Sequence, residues 1–271
     1  MSGIERKMRP GPRKCIFCGA GKLTAEHFWP EWAASILPNG RDPSYYDFAQ
    51  NHDPRTGEIR RTRHYRRQGL VTTKRLRVVC GPCNNGWMSR LETATKPILT
   101  PMAIGEDTRL TEADQRTLSA WVALKLMVAE HNIIPEVVTP QEDLTALMLD
   151  GAPPNSLHIW LFRCGEGVWQ SRYQRHAAHL TTLPLQRQDV LRKNTQSITF
   201  GFAQVLFYCF YTRGPGVAIE TGFNERLARK LWPIGGEIEW PPERIDATGA
   251  ENVASTFVRF MASNVHFADS V

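Results

Sequence analysis

The chain has 271 residues, enough for one large domain or two ordinary ones, and is 42% hydrophobic, 10% aromatic and 22% charged. This composition excludes a disordered tail, a collagen-like chain and a low-complexity linker. The net charge is +6, unevenly spread: residues 1–100 hold 18 Lys and Arg against 8 Asp and Glu, and residues 101–271 hold 15 against 19. A positive excess confined to the first third points to a polyanion-facing N-terminal part, without separating nucleic acid from an anionic membrane.

No apolar run approaches the ~18 residues of a membrane span. The opening MSGIERKMRPGPRK is basic with no apolar stretch behind it, unlike a secretory signal. A cytoplasmic, reducing setting without a membrane partner is therefore expected. In that setting spaced cysteines are read as metal ligands rather than disulfides.

Residues 1–13 are polar, carry two prolines and read as a loose basic arm. A short apolar helix is expected over 31–37, with Pro30 suited to its start. Residues 38–58 hold Pro38, Asn39-Gly40, Asp42-Pro43, Asp53-Pro54 and Gly57 and read as loop. Residues 59–79 are expected to form a hairpin about Gln68-Gly69, with Val71 to Val79 as a strand. A helix follows from Asn84 to about Thr95. Thr111 is an expected N-cap for a long helix through about His131, whose apolar residues recur at helical spacing. Thr139-Pro140 opens another helix toward Leu149. Strand-like runs follow at 157–164, 167–173 and 197–211, and a last short helix is expected over 224–231. Cys164 and Cys209, in apolar runs, read as buried core thiols.

The strongest motif is Cys15-Ile-Phe-Cys18 with Cys80-Gly-Pro-Cys83. Four thiolates in two CxxC pairs suit tetrahedral Zn²⁺, and they leave no open position on it, so the ion is expected to be structural. Between the pairs lies Glu26-His27-Phe28-Trp29-Pro30, and Asn84-Asn85-Gly86-Trp87 follows the second pair directly. Over residues 15–95 these motifs resemble the HNH (ββα-metal, treble-clef) endonucleases. The Asn directly after the second CxxC looks like the phage Holliday-junction-resolving members in particular.

The resemblance implies an α+β chain in two parts. Residues 14–100 would be a small zinc-stapled ββα-metal nuclease domain, and residues 101–271 a larger α+β domain of no assigned role. It implies a DNA phosphodiester hydrolase in which His27 is the general base, since a neutral imidazole can take a proton from water. Glu26 and the amide oxygen of Asn84, or of Asn85 in its place, would hold a catalytic Mg²⁺ or Mn²⁺. The family usually has Asp where Glu26 stands, and its middle Asn is replaced here by Arg75-Leu76-Arg77-Val78-Val79. On a strand Glu26 and His27 would face opposite sides, so a bulge or strand end is expected there.

Arg60, Arg61, Arg63, Arg66 and Arg67, with Lys74, Arg75 and Arg77, place eight basic residues in eighteen with no acid among them. They are expected to contact nucleic acid phosphates, with Tyr65 stacking on exposed bases. DNA is the expected partner, in a defence or restriction setting. A homodimer is expected if one metal site per chain must cut two strands. Two other readings stay open: a non-catalytic zinc-stapled nucleic-acid-binding module, and a protein adaptor.

Overall fold

The computed structural model describes residues 14–37, 44–52, 59–68, 73–132, 137–182, 192–217 and 220–264; for 44–52, 59–68 and 262–264 it describes the backbone. The expected N-terminal arm and the Gly69 side of the expected hairpin turn lie outside these residues.

The first strand, β1 (Leu23–His27), leads into a 3₁₀ turn over Glu31–Ser35. Two long strands follow, β2 (Ser44–His52) and β3 (Ile59–Gln68), then β4 (Arg75–Cys80). The pairing differs from the expected 59–79 hairpin: β3 pairs antiparallel with β2, and β4 pairs antiparallel with β1. Each of β1 and β4 adjoins one Cys pair, so joining the pairs joins these strands. The β2–β3 hairpin is therefore an insertion between the two strands of β1–β4. Its first strand occupies part of the expected 38–58 loop, because turn-forming residues cluster at the ends of that stretch and not within 44–52.

Behind β4 comes a helical run: α1 (Gly81–Cys83), a π-helical turn over Asn84–Met88, and α2 (Ser89–Ile104). The backbone leaves helical values at Gly86 (φ −95°, ψ −110°), which kinks the run. The helix carries Pro97 and Pro101 and ends on left-handed Gly105. It thus runs past Thr95 and through residues 100 and 101. A short strand, β5 (Thr108–Leu110), precedes α3 (Glu112–Ala129). Thr111 caps α3 as expected: its hydroxyl accepts from the Asp114 backbone N–H, and the Asp114 carboxylate accepts from the Thr111 backbone. Residues 118–129 of α3 are all buried, the pattern of a helix enclosed on every side. The next helix is α4 (Gln141–Asp150).

The main sheet contains β6 (Leu157–Cys164), β7 (Tyr173–Ala178), β8 (Thr195–Phe202), β9 (Val205–Thr212) and β10 (Ala228–Trp232), in the order β10-β6-β9-β8-β7. A two-residue strand, β12 (Arg244–Ile245), pairs parallel with β6; β11 (Ile238–Trp240), which precedes it, pairs with β5. Helices α5 (Ala247–Ala254) and α6 (Thr256–Asn264) close the described chain. Of the expected strand over 167–173 only Tyr173 is strand, as the start of β7; the chain before it turns, with Trp169 and Ser171 in the left-handed region (φ 55° and 53°). The expected single run over 197–211 folds back at Ala203-Gln204 into β8 and β9. The expected helix over 224–231 is a turn followed by β10, because Leu231 and Trp232 complete the sheet edge.

Strand alternation gives the central strand β9 two apolar faces. On β9, Val205, Phe207, Cys209 and Tyr211 face α3 and the segment with the two Cys pairs, while Leu206, Tyr208 and Phe210 join the cluster under α5 and α6. Cys164 and Cys209 are both buried, as expected. One core runs from Cys15 through Trp29, Trp121 and Phe207 to Trp240. Trp29 and Trp32 pack against Phe202, and Trp121 against Phe200, Phe202 and Phe207. No described helix is long and apolar enough to cross a membrane.

Candidate functional site

The four expected cysteines converge. Cys15 and Cys18 lie in a turn closed by the Gly19 N–H donating to the Cys15 carbonyl, with Gly19 at φ +73°, where a side chain would be strained. The Ile16 N–H donates to the Val78 carbonyl and ties this turn to β4. Cys80 ends β4 and Cys83 ends α1. All four Sγ atoms lie within 4.8 Å of one another, and Cys18 and Cys80 are 3.5 Å apart. None is in a disulfide, and three of the four are buried. Tetrahedral Zn²⁺ with ~2.3 Å bonds needs S···S edges of about 3.8 Å, so the thiols fit that ion.

The knuckles fix β1 against β4 at a register that sets Glu26 opposite Leu76 and His27 opposite Arg75. An irregularity between Thr24 and Glu26 places two β4 residues, Arg77 and Val78, against Ala25 alone. The expected bulge therefore exists, but on the partner strand, and Glu26 and His27 still have separate surroundings.

Glu26 is 4% exposed. Its Oε1 lies 3.5 Å from the ammonium of Lys125 on α3, which in turn lies 2.6 Å from Glu92 Oε1 on α2. The same ammonium donates to the His27 carbonyl at 3.4 Å. Burial pushes the Glu26 carboxyl above the usual carboxylate range; Lys125 pulls it down and Glu92 adds to the rise. Lys125 was not anticipated from the sequence. Its signal was available: a lysine inside Ala123-Leu124-Lys125-Leu126, a run enclosed on every side, has to be paired.

His27 is 22% exposed at its side chain; Nε2 accepts from Arg75 Nε–H at 2.7 Å and Nδ1 faces Glu31 at 3.7 Å. An accepting Nε2 carries the ring proton on Nδ1. Burial and the Arg75 charge hold the imidazole below its usual value, against Glu31. Asn84 is half-buried, and its amide N–H₂ donates to Thr24 Oγ1 at 3.4 Å; Asn85 is exposed. Thr24 and Glu26 are two residues apart on β1 and so share a face.

A divalent ion can be tested against these donors. Among the described residues only Oε1 of Glu26 is engaged, and the Asn84 amide uses its nitrogen. One carboxylate oxygen and one amide oxygen are therefore left without a hydrogen bond, and both are donor types that a hard cation takes.

Of the basic residues, Arg75 and Arg77 are exposed at the surface of β4, and Arg77 Nη1 donates to the Leu23 carbonyl at 3.3 Å. The backbone of Lys74 accepts from the Phe28 N–H. Arg60, Arg61, Arg63, Tyr65, Arg66 and Arg67 all lie on β3; their side chains lie outside the description. No family model, curated protein or solved structure matches the chain.

Proposed function

We propose that the chain is a divalent-metal-dependent endonuclease that hydrolyses DNA phosphodiester bonds, with His27 as general base. The observation that carries this reading is the order and closure of the zinc-stapled segment. An antiparallel strand pair is followed at once by a helix, the four-thiol cluster clamps them, and Glu26-His27 ends the first strand with Asn84 at the start of the helix.

The chemistry follows from the contacts. Burial and Arg75 favour the neutral form of His27, the form a base requires. Its accepting nitrogen, Nε2, is covered by Arg75 in the free protein. An arriving phosphate offers the guanidinium a charged, bidentate partner. Arg75 then moves from the imidazole to the phosphate, and Nε2 is left to take the proton of the attacking water. Glu26 Oε2 and Asn84 Oδ1 would hold the Mg²⁺ or Mn²⁺, and Lys125 fixes the carboxylate by its other oxygen. When bound, that ion supplies charge stabilisation for the pentacoordinate phosphate and the departing oxygen.

Purified protein with Mn²⁺ is expected to cut plasmid DNA. His27→Ala should abolish cutting while zinc content and the far-ultraviolet circular dichroism stay unchanged. Cutting unaffected by that substitution would overturn the mechanism. Salt-dependent DNA binding without cleavage under any divalent ion would instead support the non-catalytic zinc module, and no DNA affinity the protein adaptor.

A further inference from the structure

The β2–β3 hairpin pairs with no other described strand. Its two strands hold five arginines, Arg60, Arg61, Arg63, Arg66 and Arg67, against one acid, Asp47. The register sets Tyr45 opposite Arg67, Tyr46 opposite Arg66, Ala49 opposite Arg63 and Gln50 opposite Arg61. Between the last two pairs β3 advances two residues while β2 advances one, so Thr62 is a bulge. Alternation through that bulge puts positions 60, 63, 65 and 67 on one face and 61, 64 and 66 on the other. A hairpin lying on a protein core keeps one face apolar. Here arginine positions fall on both faces, so the pattern is that of a ribbon whose two sides both meet a polyanion.

The dimensions narrow the partner. Ten residues of β3 extend about 33 Å, close to one turn of B-form DNA at ~34 Å. A two-stranded ribbon fits the ~12 Å major groove of B-DNA. The major groove of an A-form RNA helix is too deep and narrow for side chains to enter.

We propose that the β2–β3 ribbon lies in the major groove of duplex DNA, with phosphate contacts on both of its faces. The proposal rests on the nuclease reading for its purpose, which is to hold the duplex beside His27. It stands apart from that reading in its test.

Full-length protein carrying His27→Ala, without added divalent ions, is titrated by fluorescence anisotropy against a 30-base-pair DNA duplex, the same single strand, and a duplex RNA of the same sequence. The DNA duplex is expected to bind at least about tenfold tighter than either competitor. Methyl green, which occupies the major groove, should displace the protein, and netropsin, which occupies the minor groove, should not. The combined Arg61→Gln, Arg63→Gln, Arg66→Gln and Arg67→Gln variant should lose about 3–4 from the slope of log affinity against log salt, near 0.9 per phosphate contact. If that variant does not fold, Arg63→Gln and Arg66→Gln, one for each face, should each remove about 1. Equal or tighter binding to either competitor, displacement by netropsin, or an unchanged slope overturns the ribbon. Cleavage that survives His27→Ala overturns the nuclease reading and leaves these binding results standing.

Discussion

Lys125 brings three acceptors to one buried ammonium: the carboxylates of Glu92 and Glu26 and the carbonyl of His27. An ammonium has three donors and no acceptor, so one side chain satisfies the inner surface of the site. Replacing a buried ion's partner leaves an uncompensated charge and costs about 3–5 kcal/mol. Lys125→Met is therefore expected to lower unfolding stability by about that amount in a urea titration. Adding Glu92→Gln should recover part of the loss, whereas additive losses would show that the pair is uncoupled. The cysteine ligands were readable in the sequence because a CxxC is a local constraint. Lys125 was not picked out, because it lies 98 residues from His27 and only the packing of α3 brings them together. The same holds for Arg75, whose place in a basic run suggested phosphate and gave no hint of the imidazole it covers.

The main sheet shows what can and cannot be read at the level of elements. The run over 157–164 is apolar on both faces and was recognised at its observed bounds as β6. Trp169 to Tyr173 has strand-like composition, yet its left-handed residues turn the chain toward β7, a conformation that composition does not reveal. On β7, His176 pairs with Gln174 side by side and stands opposite Ser197 of β8. Burial lowers its pKa from 6.5 to about 4. The unfolded chain therefore binds a proton at a pH where the folded chain does not, and protonation favours unfolding. This contribution is fully present above pH 6.5 and is lost as the pH falls from 6.5 toward 4. The melting temperature should drop across that window, and His176→Gln should drop less than the natural protein. Equal pH profiles would remove His176 from the account.

For the whole molecule, the decisive fact is that one core holds both the four-cysteine segment and the sheet. Val79, Cys80 and Met88 belong to the same cluster as Trp121 and Phe207. Cys80→Ser is thus expected to lose the metal and lower the melting temperature of the entire chain in a single transition. Closing the 62-residue interval between Cys18 and Cys80 removes unfolded-state entropy worth about 4 kcal/mol, equivalent to a drop of roughly 8–16 °C in a domain of this size. Two separated calorimetric transitions would contradict the shared core. The α+β class and the convergence of the four cysteines were legible in the sequence. The continuity of the core was not, because the charge asymmetry between the two regions describes the surface and the shared interior is apolar. The 62-residue interval also sets a schedule during synthesis. At ~5–20 residues per second the first thiol pair is made about 3–12 s before the second. Throughout that time Cys15 and Cys18 have neither partners nor a closed site, so the moment of metal capture, and with it protection from oxidation, is fixed by the length of chain inserted between the two Cys pairs.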